Sequence, residues 1–427
     1  MEVWLARAAR EHGDRMALRT SAGEHLSYAA LHRRALAVGG ALLKQGIGPG
    51  DRVALALPSQ ELVTALHGCM LIGAVAVPID LRLREAEREA RTAGAAVVLE
   101  ELEAGPPAAP PPQSERSSED TATVMFTSGT TAGPKEVRLS YDNWLWNAIG
   151  SALALGFEQD ERWLCPMPLA HVGGLSIQIR SAIYGTTVLL HERFDTQAAL
   201  TVLMDPGERV TLVSLVPTML ARLLDAGLSQ PPSLRWALLG GGPIAPGLLK
   251  RARGAGVPVA PSYGMTEACS QIATNGWPLL GVELRIADDG EVLVRGKTVA
   301  AGALAADGWL HSGDLGSLDE QGRLSIAGRI ADTIVTGGEN VSPIEVEAVL
   351  LEHPAVADVA VFGRPDPEWG EAVIAYVVKR DGAGVQAEEL RRHCAVSLAP
   401  FKVPKQVEFV AEVPRGVTGK LLRRELT

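Results

Sequence analysis

Short apolar runs alternate with segments of helical spacing along most of the chain, and this alternation restricts the possible folds more than any other feature. Residues 27–46 show helical spacing, residues 51–59 predict a buried strand followed by a turn, and residues 61–80 predict a helix that leads into another strand. The alternation continues from residue 141 to residue 260. Because strands joined by helices pair side by side in parallel sheets, the sequence predicts an α/β fold for this part of the chain.

The character of the sequence changes after residue 280. Residues 281–296 form two alternating runs joined by Asp289 and Gly290, a dipeptide typical of hairpin turns. Residues 342–363 predict a helix followed by a strand, and residues 371–380 predict a second strand. We therefore expect a β-rich part followed by a small, separate α+β domain.

The charge and the cysteines exclude some classes of protein. The 427 residues are 47% apolar and 21% charged, with a formal net charge of −10. This charge argues against a general nucleic-acid binder, although a local pocket on an acidic protein can still hold a small polyanion. The four cysteines have neither the spacing of a metal site nor the density of a disulfide scaffold.

Targeting signals are also missing from the sequence pattern. The longest apolar run, around residues 69–78, is too short to span a bilayer, and residues 1–15 lack the apolar core of a signal peptide. Residues 104–120 are rich in proline, serine and charge, which predicts a flexible surface loop. We expect a cytoplasmic protein with no membrane insertion and no nucleic-acid partner.

One loop has a composition suited to phosphate. The stretch MFTSGTTAGPKEVRLS, residues 125–140, places hydroxyl side chains, glycines and a lysine directly after an apolar run. Glycines let backbone N–H groups approach an anion, hydroxyls add donors and lysine adds charge. The spacing differs from the common phosphate loop, because no glycine precedes Lys135 and no hydroxyl follows it. These residues alone favour a phosphate site and a plain surface loop equally.

Polar residues at turns recur in four further segments. Each is weak evidence by itself, since an aspartate in a turn is usually a cap and a lysine near the end of a chain is usually solvated. The segments are PSYGMTEACSQ at 261–271, HSGDLG at 311–316, GRIADTIVTGGENVSPIEVE at 328–347 and PRGVTGKLLRREL at 414–426.

In this order and spacing, the loop and the four segments resemble the adenylate-forming superfamily of acyl-CoA synthetases, adenylation domains and luciferases. The resemblance covers essentially the whole chain. It implies an N-terminal domain over residues 1–328 with α/β subdomains and a β-rich part, a hinge at residues 329–332, and a small mobile α+β domain over residues 333–427. It also implies a small carboxylic acid as substrate, ATP and Mg²⁺ as cofactors, and coenzyme A as the acceptor of the acyl group.

The resemblance assigns catalytic roles to four residues. It implies that Lys420 bridges the attacking carboxylate and the α-phosphate, that Thr266 donates to the α-phosphate, and that Glu267 holds Mg²⁺. His171, in PLAHVGG, matches a histidine that borders the carboxylate pocket, where we expect an orienting and gating role without proton transfer. A lone histidine packed in the core is the plainer alternative.

Further residues are expected to bind the nucleotide and the thiol. Asp314 is expected to accept the ribose hydroxyls with help from Arg329. The phosphates are assigned to Thr127, Ser128, Gly129, Thr130, Thr131 and Lys135, with Thr130 also at the metal. The adenine is assigned to Gly241, Gly242, Tyr263 and Gly264, and the thiol arm is assigned to Gly337 and Gly338.

Three positions depart from the family pattern. Ala132 and Glu136 stand in and beside the phosphate loop where glycine is usual, and Ala331 occupies the hinge position where aspartate or lysine is usual. An alanine is tolerable in the loop unless the backbone there needs a positive φ. The alanine at the hinge puts the usual polar contacts of the hinge in question, and leaves the rotation itself unaffected.

Two stretches look like the o-succinylbenzoate–CoA ligases of bacterial menaquinone synthesis. Residues 140–156 carry Tyr141 where the family usually has histidine, and residues 261–271 place Ser270 and Gln271 after the expected metal-binding glutamate. That substrate carries a second carboxylate, which needs donors. We expect Arg180, Ser270 and Gln271 in the substrate pocket; an arginine that extends to the surface and ordinary helix capping are the alternatives.

Two other functions stay open at this stage. A ligase for another aryl or medium-chain acid would need no second anion site. A non-catalytic member of the fold would bind only nucleotide or a partner, although the retained Glu267, Asp314, Arg329 and Lys420 speak against that. A homo-oligomer is also left open by the sequence.

Overall fold

The computed structural model describes residues 2–102, 117–127, 135–415 and 421–426, without the side chain of Arg424. Most of the predicted surface loop at 104–120 lies outside these residues. The first elements are α1 (Trp4–Glu11), β1 (Met16–Thr20), β2 (His25–Ser27), α2 (Tyr28–Lys44), β3 (Arg52–Leu55), α3 (Ser59–Ile72), β4 (Val75–Pro78), α4 (Glu85–Thr92), β5 (Val97–Leu99), β6 (Thr121–Thr127) and β7 (Lys135–Ser140).

Helices and strands continue to alternate in the next part of the chain, as the sequence predicts. The elements are α5 (Tyr141–Leu155), β8 (Arg162–Cys165), α6 (Val172–Tyr184), β9 (Thr187–Leu190), α7 (Thr196–Met204), β10 (Leu212–Leu215), α8 (Pro217–Asp225), β11 (Trp236–Leu239), α9 (Pro246–Gly254) and β12 (Val259–Met265).

Strands dominate after residue 265. The remaining elements are β13 (Ser270–Thr274), β14 (Trp277–Pro278), β15 (Val282–Ile286), β16 (Glu291–Gly296), β17 (Leu310–Leu318), β18 (Leu324–Arg329), β19 (Ile334–Thr336), β20 (Glu339–Val341), α10 (Pro343–Leu351), β21 (Val356–Asp366), β22 (Gly370–Lys379), α11 (Ala387–Ser397) and β23 (Gln406–Phe409). Short 3₁₀ turns cover Thr266–Ala268, Ala301–Ala303, Ile330–Asp332, Pro400–Lys402 and Arg423–Glu425. The hairpin predicted around Asp289 and Gly290 is β15 and β16.

Local chemistry sets the helix ends where the sequence carries capping residues. The Ser27 hydroxyl accepts from the Ala30 N–H at the start of α2. At the start of α5, Ser140 and Asn143 form a reciprocal capping box. Helix α3 ends at Gly73, whose φ of 79° is left-handed and favours glycine.

Two parallel sheets form the large N-terminal part. The nine-stranded sheet has the order β14-β13-β12-β11-β10-β8-β9-β1-β2, and its six strands from β12 to β1 run parallel. The second sheet has the order β5-β3-β4-β6-β7, with antiparallel β7 at its edge. One large core packs helices α1, α2, α3, α5 and α6 against both sheets.

Two smaller sheets follow. Strands β15, β16, β17 and β18 form an antiparallel sheet in that order. The last sheet has the order β20-β19-β22-β21, with β23 beside β22, and it packs on α10 and α11 around its own core. No strand is shared between this sheet and the others in the described part of the chain. The exact boundaries of the hinge and domains stay predictions.

Two remaining expectations concern the cysteines and membranes. Cys69, Cys165, Cys269 and Cys394 are all buried free thiols. Within the range that the structure covers, no helix combines the length and the apolar character needed to cross a membrane.

Candidate active site

Most of the predicted site residues follow the carboxyl ends of parallel strands. The phosphate loop follows β6, His171 follows β8, Gly241 and Gly242 follow β11, and Thr266 follows β12. Ligands of open α/β sheets bind in the crevice at these ends, because the loops there are free to vary while the strands hold them in place. The fold therefore gathers separated sequence segments at corresponding ends of its two parallel sheets.

The Asp314 carboxylate is the best-defined polar group of the site. The Tyr263 hydroxyl donates to its Oδ2 at 2.8 Å, and the Arg329 Nε lies 3.0 Å from its Oδ1. Asp314 is buried, and it faces Arg329 across the β17–β18 pair. Burial and the nearby carboxylate raise the pKa of the Tyr263 phenol far above its usual value, so the hydroxyl remains a donor. Each carboxylate oxygen keeps a lone pair for a further donor.

The turn after β12 is shaped by close backbone packing. A side chain at Gly264 would place its Cβ 1.7 Å from the Ser270 carbonyl oxygen, so only glycine fits. Thr266 and Glu267 lie in the following 3₁₀ turn. Cys269 and Ser270 then adopt positive φ angles of 56° and 91°. Strained φ values of this kind collect at functional sites, because the surrounding structure must hold them.

The glycine loop after β11 borders a cleft of about 400 Å³ between the two parts of the chain. Gly241 has a φ of 80°, which suits glycine. The N-terminal side of the cleft includes Val216, Gly241 and Gly242, and its C-terminal side includes Ser342, Leu421 and Arg423.

The phosphate loop can be followed only at its two ends. Thr127 ends β6 and pairs with Lys135, which begins β7, so the loop closes a hairpin. Ser128, Gly129, Thr130, Thr131 and Ala132 lie outside the described residues. Glu136, one of the departures from the family pattern, points away into a two-pronged ion pair with Arg52 at 2.8 and 2.9 Å.

Lys420 lies outside the described residues, but the chain on both sides of it is placed. Arg415 and Leu421 form an antiparallel bridge that brackets the segment 416–420. Arg423 then donates to Asp332 in the predicted hinge at 3.1 Å and to Glu347 of α10 at 2.7 and 3.0 Å. Asp332, beside Ala331, thus supplies a charged contact at the position where a hinge is predicted.

His171 is the N-cap residue directly before α6, and it is not a packed core residue. Its side chain is 31% exposed, and its Nε2 lies 3.5 Å from the Asp80 Oδ2. Asp80 follows the carboxyl end of β4 and also accepts from the Arg82 guanidinium. Burial works to raise the pKa of Asp80, but the hydrogen bonds from Arg82, with the His171 imidazole nearby, outweigh it and hold the pKa far below its usual range. Asp80 therefore stays charged and can orient the imidazole.

Arg180 does not extend to the surface, so that alternative is wrong. The residue is 1% exposed, and its guanidinium lies against the Trp163 ring. Both Nε, at 3.2 Å, and Nη2 donate to the Asn147 Oδ1, while the Asn147 Nδ2 donates to the Gln271 carbonyl. Burial lowers the pKa of the guanidinium, yet arginine stays charged in proteins. No carboxylate of the described residues pairs with it.

The neighbours of Arg180 are also buried. The Gln271 Nε2 donates to Thr274 at 2.8 Å, and its Oε1 has no partner within the residues described. Ser270 caps no α-helix, because it begins β13. The capping alternative for these two residues is therefore wrong.

Gly337 and Gly338 form the two-residue turn between β19 and β20. Their φ values of 60° and 83° fit a hairpin turn with two left-handed residues. Gly337 packs on Trp369, whose ring would lie 2.9 Å from an added Cβ, and it donates to the Trp369 carbonyl. Around Gly338 the described residues leave open space. The turn thus packs within the C-terminal sheet and leaves one face open.

The residues present fit a magnesium ion that is held mainly by its substrate. No group of three histidine, cysteine or acidic side chains forms a metal site in the described part of the chain. Magnesium, however, is commonly bound by one or two carboxylates and by phosphate oxygens. A single carboxylate at Glu267, in the turn after β12, satisfies that requirement.

The sequence reasoning missed Asp80 and Asn147. Asp80 carried a usable signal, because it directly follows a buried apolar run in VAVPID. Asn147 gave no such signal, since an asparagine inside a helical segment identifies its partner only once the helices are packed.

Comparison with known proteins bears on the family and the fold of this chain. The family model described as AMP-binding enzyme matches residues 5–99 and 92–306, and that of the AMP-binding enzyme C-terminal domain matches residues 345–420. The chain is 40% identical to a 2-succinylbenzoate–CoA ligase of Bacillus licheniformis, covering 99% of this chain and 98% of the relative.

Two solved structures of the o-succinylbenzoate CoA synthetase from Bacillus subtilis are also similar. The complex with the acyl-adenylate intermediate has a TM-score of 0.90 at 35% identity, and covers 100% of this chain and 98% of that chain. A double mutant bound with a product analogue has a TM-score of 0.73 at 36% identity, with the same coverage. The predicted resemblance and fold class are confirmed. From the family match and these relatives, the chain belongs to the AMP-binding enzyme family.

Proposed function

We propose that this chain is an AMP-forming acid–CoA ligase whose substrate is o-succinylbenzoate, acting in menaquinone biosynthesis. Its full-length similarity to 2-succinylbenzoate–CoA ligases is the observation that carries the proposal. In the reaction, a carboxylate oxygen attacks the α-phosphorus of ATP and pyrophosphate leaves. The thiol sulfur of coenzyme A then attacks the acyl carbon, loses its proton, and expels AMP.

The nucleotide is assigned to the crevice at the carboxyl ends of the parallel strands. Asp314 accepts the ribose hydroxyls through lone pairs that Tyr263 and Arg329 leave free. Gly241 and Gly242 let the base approach the backbone, and Thr266 donates to the α-phosphate. When Mg²⁺ is bound with ATP, it neutralises phosphate charge, and Glu267 supplies the carboxylate that holds it.

The remaining phosphate and thiol contacts are also proposals. Thr127 and Lys135 stand where the loop between β6 and β7 begins and ends, which supports a grip on the outer phosphates by that loop. The open space at Gly338 suits the thiol arm in the second half-reaction. Asp80 holds His171 in place at the border of the acyl pocket.

We assign the described conformation to the first half-reaction. The segment that carries Lys420 is bracketed by Arg415 and Leu421, and both residues line the same cleft as Gly241. The TM-score is also higher against the acyl-adenylate complex than against the complex with the product analogue, at nearly equal identity. A lysine at this place balances the negative charge of the attacking carboxylate and of the α-phosphate.

The second carboxylate of the substrate is assigned to Arg180. A buried guanidinium without an acidic partner is costly, so an anionic ligand gains from meeting it. Asn147 occupies two of the guanidinium N–H groups, and the others stay available to a carboxylate. A monocarboxylic acid has no such group to offer, which favours the dicarboxylic substrate.

Pyrophosphate release tests the proposal. Purified protein with ATP and Mg²⁺ is given o-succinylbenzoate, benzoate, a medium-chain fatty acid or an amino acid, each with and without coenzyme A. We expect turnover with o-succinylbenzoate, and release of the thioester only when coenzyme A is present. Turnover with a different acid would overturn the assigned substrate, and silence with all of them would favour a non-catalytic member of the family.

A further inference from the structure

Glu291 is a buried carboxylate that contacts two neighbours of Asp314 without touching Asp314 itself. Its Oε1 accepts from the Gly313 N–H at 2.8 Å, and its Oε2 lies 2.7 Å from the His311 Nδ1. The residue is 8% exposed and begins β16. Both contacts are with the first half of β17, the strand that contains Asp314.

The first half of β17 has an irregular backbone, which side-chain contacts can hold in place. The β16–β17 register shifts between Glu291 and Leu293, and Gly313 has a left-handed φ of 70°. The Asp314 N–H donates to the Ser312 hydroxyl at 3.0 Å. Without a side-chain acceptor, the Gly313 N–H would be left unpaired at this bulge, which costs free energy.

The Glu291 side chain is not needed to hold its own strand. Its backbone N–H donates to Asp289 at 3.1 Å, and its carbonyl accepts from the Ala287 N–H at 2.9 Å. The hairpin that joins β15 to β16 therefore closes through backbone groups and Asp289. The buried carboxylate of Glu291 adds nothing to these bonds, and its contacts are with the turn at 311–313 instead.

We propose that Glu291 is a positioning residue for nucleotide binding, which fixes the 311–313 turn so that Asp314 faces the ribose. The proposal rests on the proposed assignment of Asp314 to the nucleotide. Glu291 acts on Asp314 only through the Gly313 backbone and the His311 ring, so it shifts the affinity for the nucleotide and leaves the reacting atoms untouched.

The charge of His311 contributes to this contact. Its ring lies between Glu291 and Asp307, whose Oδ2 is 3.3 Å from the Nε2. The guanidinium groups of Arg285 and Arg295 stack on the ring of Trp309, two residues before His311 in the sequence. The Glu291 hydrogen bond, followed by that of Asp307, raises the pKa of His311. A raised pKa means that the ion pair is complete at low pH and is lost as the pH rises through that pKa.

The test compares Glu291→Ala and Glu291→Gln with wild-type enzyme, using pyrophosphate release with o-succinylbenzoate and titration with AMP. We expect Glu291→Ala to raise the KM for ATP and the Kd for AMP about tenfold, while kcat changes less than about threefold. Glu283→Gln is the matched control, because Glu283 lies on neighbouring β15 and makes an exposed ion pair with Arg295. It should leave both constants unchanged.

The pH dependence separates positioning from a general loss of packing. In Glu291→Gln, the side-chain oxygen can accept from the Gly313 N–H, and the NH₂ group can donate to the His311 Nδ1 only when the imidazole is neutral. The variant therefore makes both hydrogen bonds at high pH, whereas the wild-type carboxylate binds the protonated imidazole most strongly at low pH. The ratio of the Glu291→Gln KM for ATP to the wild-type KM should therefore fall as the pH rises. Titration of ATP itself changes both KM values equally, so it does not affect their ratio.

The outcomes are distinct. Inactive wild-type enzyme would contradict the proposed function. Active wild-type enzyme with an unchanged KM in Glu291→Ala, a ratio independent of pH, or an effect confined to kcat would overturn the role of Glu291 alone. If Glu291→Ala does not fold, Glu291→Gln carries the same test.

Discussion

Arg180 shows what one buried charge implies at the scale of the residue. Its only hydrogen-bond partner within the described residues is the Asn147 amide oxygen. Asn147→Asp would place a carboxylate of the same shape against the guanidinium and compete with the substrate. We expect the KM for o-succinylbenzoate to rise about tenfold or more, with the KM for ATP unchanged as the internal control.

Thermal unfolding completes this prediction. The aspartate gains an ion pair with the buried Arg180 but can no longer donate to the Gln271 carbonyl, so these two effects offset each other and Asn147→Asp should unfold about as easily as the wild type. A variant that loses stability together with affinity, or one whose KM for o-succinylbenzoate does not change, would remove Arg180 from the substrate pocket.

Gly264 gives a second prediction at the same scale. The Cβ of an alanine would lie 1.7 Å from the Ser270 carbonyl oxygen, and backbone on both sides must move to relieve that contact. We expect Gly264→Ala to lower the free energy of unfolding by about 3 kcal/mol or more. Gly247→Ala is the control, since an added Cβ there has no neighbour within 4 Å. Equal thermal melting of the two variants would contradict this geometry.

The site to which a residue belongs could be predicted from the sequence where the residue lies in a family motif. Its neighbours were harder to predict where no motif is present. The resemblance assigned Tyr263, Asp314 and Arg329 to one nucleotide, and the structure brings these three side chains together. The surroundings of Arg180 could not be predicted, because its neighbours Asn147 and Gln271 come from separate elements whose packing depends on the whole core. Burial of a cation has no local sequence signature.

Helices and strands were predictable because their periods are written in the apolar pattern. The helix predicted at 27–46 lies at Tyr28–Lys44, and the strand predicted within 51–59 is Arg52–Leu55. Pairing across distant elements has no such pattern. The parallel pair of β1 and β9 joins residues far apart in the sequence, and only tertiary packing selects it.

At the scale of elements, Asp80 connects the end of β4 to the start of α6 through His171. Its depressed pKa means that the charged form stabilises the fold above the pKa of the unfolded state, about 4, and that this contribution is lost only as the pH falls further. Asp80→Asn should therefore lower the free energy of unfolding by about 2 kcal/mol at pH 7, and by progressively less as the pH falls below about 4.

Urea unfolding at pH 7 and at pH 3 measures this difference. Asp225→Asn is a suitable control, because the Asp225–Arg251 pair is exposed on the surface and should contribute about 0.5 kcal/mol or less. A deficit in Asp80→Asn that stays constant across pH would show that the charge is not responsible.

At the scale of the whole molecule, the two half-reactions give a prediction for Lys420. We expect Lys420→Ala to reduce adenylate formation at least about a hundredfold, because it removes the cation that the proposed mechanism assigns to the two reacting anions. Formation of the thioester from a preformed acyl-adenylate should stay largely intact. Pyrophosphate release and thioester formation are measured separately, and an equal loss in both would contradict two arrangements of the domains.

The pairing of β1 with β9 also decides when this chain can fold. Leu18 lies between Leu26 of β2 and Val188 of β9 in the sheet, so a growing polypeptide must wait until residue 190 has been synthesised before its first strand is paired on both sides. The sheet of β19 to β23, by contrast, draws all its strands from residues 334–409. Because nearby contacts form faster than distant ones, β1 can pair early with β2, whereas the edge of β1 that meets β9 stays open on the ribosome until much later.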